Sequence, residues 1–216
     1  MLLTYLLLTV LSVLIFVAPS VVFDHNPNGA ATREFKFRDV PSPAINDAAA
    51  TAKLKLIDGE LDPNGAALTA LTDGRLPTDE DEPAANVFFN TGSSGGRFRM
   101  DLGTSIDIAQ INSYSWHPNT RGPQLYKLYA AEGTERGLNL DPKRGVDPAT
   151  VGWKFITTVN TLPQQGEDGG QYGVSVRDAS GSLGKYRYLL FDCYVTELYD
   201  RNGNTFYSEI DVIANN

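Results

Sequence analysis

The stretch "GRFRMDLGTSIDIAQINSYSW", Gly96 to Trp116, decides the fold class. Its residues alternate through Arg97–Leu102 and again through Ile106–Trp116, with Asp-Leu-Gly at the join. A period of two is the signature of a half-buried strand. Outward from this stretch the pattern repeats, with strands expected at Asn86–Phe89, Gln124–Ala131, Trp153–Thr161, Tyr172–Val176, Tyr186–Thr196 and Phe206–Ile213. "REFKFRD" (Arg33–Asp39) alternates too and reads as a first strand, Ala52–Ile57 as another, and Ala66–Leu71 as a short helical turn. Turn clusters such as "NTGSSGG", "PQQGEDGG" and "DRNGN" separate the strands. A parallel α/β fold needs crossover helices, and no segment beyond the apolar N-terminus has a sustained helical period. The expected fold is therefore all-β, an antiparallel β-sandwich of jelly-roll type.

Two segments qualify this picture. "RYLLFDCYVTE" is apolar on both faces, so it belongs inside the sandwich. Its Cys193, the only cysteine, excludes an internal disulfide and reads as a small buried hydrophobe. The insert "GTERGLNLDPKRGVDPATVG", Gly133 to Gly152, has no clear period and reads as a packed, irregular loop.

The chain has 216 residues and a formal charge of −8. That is long enough for a proper core, and the acidity argues against nucleic acid and against anionic membrane surfaces. Met1 to Phe23 carries no charged side chain, and Ala18-Pro19-Ser20 offers small residues for cleavage after Ser20. Residues 1–20 read as a signal peptide or an uncleaved N-terminal anchor, 21–32 as a linker, and 33–216 as the sandwich domain. Either fate of the first segment places the rest outside the cytoplasm, secreted or tethered. A membrane is a partner only if that segment is retained.

The order of motifs adds a resemblance. "LTDGRLPT" precedes the Gly96–Trp116 stretch; "TRGPQLYKLYAAEG", "GWKFITTV", "GKYRYLLFDCYVTE" and "GNTFYSEIDVI" follow it. From Leu71 to Ile213 this resembles the discoidin or coagulation-factor C-type family, within the galactose-binding-domain-like jelly rolls. The chain departs from it in lacking a second cysteine for the disulfide many members use, and in its long insert. The resemblance implies a structural calcium ion, held by Asp73 of the Asp-Gly turn, Thr78 and Glu209 of the closing strand, with backbone carbonyls completing the shell. The four consecutive acids of "PTDEDEP" read as a solvated loop.

It also directs attention to Trp116, His117, Asn119 and Arg121, between two strands. A sugar offers an apolar C–H face and a ring of hydroxyls, so its site needs an aromatic beside fixed donors and acceptors. In galactose-binding relatives a His, an Arg, an Asn and an aromatic do this work; Phe206 is a second aromatic for the same site. Two readings stand: a recognition loop, or a structural corner in which Trp116 ends its strand buried and the prolines shape the turn. No nucleophile, His-rich metal or phosphate-loop signature is present, which argues against an enzyme. The expected function is a non-catalytic module for a glycan or cell-surface polysaccharide. The alternative is an adhesive extracellular domain with a protein partner and a wide exposed apolar patch.

Overall fold

The computed structural model describes residues 18–163, 169–196 and 204–215. Most of residues 1–20, read above as a signal peptide or anchor, and much of the clusters "PQQGEDGG" and "DRNGN", lie outside them. Among these residues eight strands make up the fold: β1 (Ser20–Asn26), β2 (Lys53–Asp58), β3 (Gly95–His117), β4 (Leu125–Ala131), β5 (Lys154–Asn160), β6 (Gly170–Arg177), β7 (Gly184–Tyr194) and β8 (Tyr207–Ala214). All their pairings are antiparallel. Among the described residues the only helical elements are short 3-10 turns, and no helix is long and apolar enough to cross a membrane.

The deciding stretch is one strand rather than two. β3 runs 23 residues, and only its register slips, between Asp101 and Ile106. Its first half pairs with β2 and β7, and its second half with β6 and β8. A strand shared in this way carries the chain from one layer of the sandwich to the other. The main core fills the space between them, with Phe98, Met100, Ile111, Leu128, Val174, Phe191 and Ile210 all buried. Fully burying a side chain of this size contributes about 1.5–3 kcal/mol.

Three readings of the sequence are corrected. Residues 21–26, the first half of the stretch read as a linker, belong to β1, whose seven residues pair one-for-one with Gln171–Arg177 of β6. The domain therefore includes the chain from Ser20 onward rather than from residue 33. "REFKFRD" is not a strand. Phe35 adopts φ 49° and is fully buried, with its ring edge-on to Tyr114 and Trp116. Its alternation comes from an aromatic plug over β3, not from a ladder. Asn86–Phe89 makes only isolated bridges, Leu61 to Phe89 and Val87 to Tyr207.

β7 shows why a strand can be apolar on both faces. Leu189, Phe191 and Cys193 face the main core, and burial pushes the Cys193 thiol up to about 12. Tyr188 and Leu190 face the other way, into a second cluster with Ile57, Tyr129 and Trp153, against which Leu138, Leu140 and Val151 of the insert pack. The insert is thus a second cover on the outer face of this layer. The Trp153 indole N–H secures it by donating to the Asn139 carbonyl at 2.7 Å.

Candidate functional site

β3 ends at His117, and residues 118–124 turn the chain back into β4. Every stage of this loop is held by the body beneath it. Gln124 is fully buried; its amide donates to the Ser113 carbonyl and Ser115 Oγ, each at 3.1 Å, while its carbonyl oxygen accepts from Ser113 Oγ at 2.5 Å. Ser115 Oγ in turn donates to the Gly122 carbonyl at 2.6 Å. Thr205 Oγ1 donates to the Pro123 carbonyl at 2.7 Å, and the Phe206 amide to the Arg121 carbonyl at 3.0 Å. A buried network satisfied in this way fixes the loop before any ligand arrives.

The loop brings four groups together at the rim. The Arg121 guanidinium lies 5.2 Å from the Phe206 ring centre and 5.9 Å from that of Phe88. Those two rings stack at 4.0 Å, and the His117 imidazole meets Phe206 edge-on at 4.6 Å. The rings form a platform that fixes the plane of the guanidinium while leaving Arg121 half-exposed. The Asn119 amide N–H donates to His117 Nδ1 at 3.0 Å, which leaves the ring proton on Nε2. Burial first, and then the Arg121 charge, lowers the His117 pKa to about 4, so the ring is neutral at pH 7. Asn119 itself is exposed. The rim therefore offers an exposed amide and a partly exposed guanidinium on an aromatic bed, with the neutral His117 imidazole buried beside them.

The structure separates the predicted residues. His117 closes β3 and is 8% exposed, Asn119 and Arg121 stand on the loop that follows, and Phe206 lies under it. Trp116 does not present a face: it is 6% exposed because Phe35 covers it edge-on at 5.8 Å, and its indole N–H is buried without a partner. Phe206 is likewise buried, so it supports Arg121 rather than offering a surface of its own. For these two aromatics the structural-corner reading holds. Phe88, which the sequence reading did not single out, completes the platform. Its only signal was an apolar run, "VFF", which any buried strand shares.

The proposed calcium ligands divide in the same way. Glu209 and the Asp73 turn meet, since the Gly74 amide donates to Glu209 Oε2 at 3.1 Å. Thr78 is turned elsewhere, donating its hydroxyl to Glu82 at 3.1 Å. Burial raises the Glu209 pKa to about 9, and the charges of Asp211, Asp73 and Asp47 add to the effect. Asp211 is raised to about 7, again chiefly by burial, and its Oδ1 is buried without a partner. A buried carboxylate facing like charges is a place where a divalent cation relieves strain. Among the described residues, no group of three or more His, Cys, Asp or Glu side chains is arranged to hold a metal. Asp73 and Glu209 thus fit a calcium ion only if carbonyl oxygens supply most of its shell.

No family model matches the sequence, and no curated protein does. Solved structures do. A serum f-lectin (fucolectin) of striped bass, Morone saxatilis, aligns with TM-score 0.50 and 13% identity over 82% of this chain and 50% of its own. A Clostridium perfringens module, CpGH89CBM32-5, solved with GalNAc-β-1,3-galactose, aligns with TM-score 0.48 and 15% identity over 78% of this chain and 100% of its own. SpGH29 aligns with TM-score 0.48 and 13% identity over 79% of this chain, which spans only 28% of that protein. The shared fold is the galactose-binding-like antiparallel β-sandwich.

Proposed function

We propose that the chain is a non-catalytic carbohydrate-binding domain of discoidin type, working outside the cytoplasm and steadied by a calcium ion at Asp73 and Glu209. The observation that carries this reading is the Arg121 guanidinium, held over Phe206 and Phe88 beside His117 and Asn119 on a pre-set loop. A planar fork of donors, an amide and a neutral imidazole Nε2–H can take up adjacent hydroxyls of one sugar ring with directional hydrogen bonds. Trp116 and Phe206 support the loop from below. The fold is that of a serum fucolectin, which supports the reading by analogy.

The adhesive alternative called for a wide apolar patch. The exposed large apolar side chains among the described residues, Phe23, Ile45, Val146 and Phe155, stand instead on four different segments. A glycan-array screen of the full chain, with calcium and again with chelator, tests the proposal. It expects a restricted set of glycans bound, with weaker signal in chelator; a folded, calcium-replete chain that binds none refutes it.

A further inference from the structure

A second candidate site lies away from the rim, where the insert roofs the outer face of the sheet. Across three adjacent strands, Arg97 of β3, Asp192 of β7 and Lys127 of β4 stand directly opposite one another in a single row. Together with Arg144 of the insert, Tyr129 and Tyr194, they line a cleft of about 390 Å³. That is the size of a small-molecule site and larger than an inorganic anion needs.

The charges in this cleft do not balance. Arg97 and Asp192 form a buried pair at 2.9 Å, and three carbonyls of the insert, those of Pro142, Lys143 and Val146, also accept from Arg97 Nη1. Asp192 must serve a second arginine as well, because Arg144 Nε lies 3.5 Å from its other oxygen. One carboxylate is thus shared by two guanidinium groups. Lys127 adds a third cation; its ammonium lies 5.9 Å from the Tyr194 ring centre and pairs with no carboxylate among the described residues. Arg144 stands 5.1 Å from the same ring centre, and the Tyr194 hydroxyl donates to Asp192 at 2.8 Å. Among the described residues Asp147 is the only other acid lining the cleft, and its side chain already accepts from the Ala149 amide. Three cations against two acids leave a positive excess in a chain whose net charge is −8.

We infer that this cleft is a second binding site, separate from the rim loop, for a hydroxylated carboxylate the size of one acidic sugar unit. Lys127 would hold the carboxylate together with Arg144, whose Nη1 already donates to the Ser94 carbonyl at 2.8 Å and hydroxyl at 3.1 Å, because an anion there meets cations that the acids among the described lining residues leave uncompensated. The tyrosine faces would line the apolar side of the ring, and the buried Arg97–Asp192 pair would hold Arg144 and Tyr194 in place. The inference does not depend on the rim, since none of its residues belongs to the 118–124 loop.

The test is an amide-resolved NMR titration of the full chain with glucuronate and galacturonate, with neutral galactose and inorganic sulfate as controls. Saturable shifts are expected at Lys127, Gly145 and Tyr194 with a uronate, and not with galactose. Lys127→Gln removes an exposed side chain, so the variant stays folded, and it should weaken uronate binding by about tenfold or more. The same shifts should persist in Arg121→Ala, whatever happens to glycan binding at the rim. Absence of saturable shifts, unchanged affinity in Lys127→Gln, or equal response to sulfate would overturn the inference. Loss of the shifts in Arg121→Ala would move the binding to the rim and overturn it too.

Discussion

Arg121 is held by two aromatic rings and a loop fixed from beneath, so its role in binding can be tested apart from its role in folding. Arg121→Lys keeps the charge but loses the planar fork, and Lys is a mobile point charge with different donors. We expect this variant to melt close to wild type and to weaken glycan binding by about tenfold, read by calorimetric titration. His117 supplies a pH signature. Its folded pKa of about 4 lies below the unfolded value of 6.5, so only the unfolded chain takes up a proton between them. The stabilising contribution is therefore complete above pH 6.5 and is lost as pH falls toward 4. Its size is about 3 kcal/mol, from 1.36 kcal/mol per unit. Besides burial, the groups acting on the ring are Arg121, Asp81 and the Asn119 amide. Denaturation curves at pH 7 and pH 4.5 should show His117→Asn losing less stability on acidification than wild type; equal losses would contradict the assignment.

At the scale of elements, close packing governs what the strands tolerate. Gly96, the second residue of β3, lies against the Phe89 ring and the Asp58 carbonyl, and a Cβ there would overlap both. Gly103 has φ 82° but open space around it. Gly96→Ala should therefore cost about 3 kcal/mol through overpacking. Gly103→Ala should cost only about 1 kcal/mol, the left-handed backbone penalty. Urea denaturation of the two variants measures the difference, and equal costs would show that β3 is not packed as described. These same elements show how far the sequence could be read. Alternation, or an unbroken apolar run between turn clusters, located β3 to β8, because each of those segments packs against a core. It failed where another force shaped the chain. β1 looks like a polar linker because it is an edge strand whose ladder to β6 owes nothing to apolar residues at Asp24 and Asn26. Phe35 and Phe37 alternate without pairing, since both rings pack on β3 side chains from a loop. The loop from His117 to Arg121 was legible from residue types. The burial of Trp116 was not, because it depends on Phe35 arriving from a distant part of the chain.

For the whole molecule, the closing strand is where the buried carboxyls gather. Glu209 and Asp211 lie buried in β8 among like charges, and the Asp73 turn leans on Glu209. A calcium ion bound there at about one hundred times its Kd would stabilise the fold by about 2.7 kcal/mol. For a chain of this length that raises Tm by roughly 5–10 °C. Burial keeps the Glu209 carboxyl protonated near pH 7, so Glu209→Gln should leave Tm in chelator close to wild type and abolish the calcium response; a wild-type response in that variant would place the ion elsewhere. The central claim is that the loop carrying Arg121 recognises a sugar, and one measurement tests it most directly. Wild type, Arg121→Ala and Asn119→Ala, each with Tm checked in calcium, are applied to the same glycan array. The account predicts a defined set of glycans bound by wild type and lost in both variants at near-wild-type Tm. Binding that survives both substitutions, or no glycan bound by the folded wild-type chain, would contradict it.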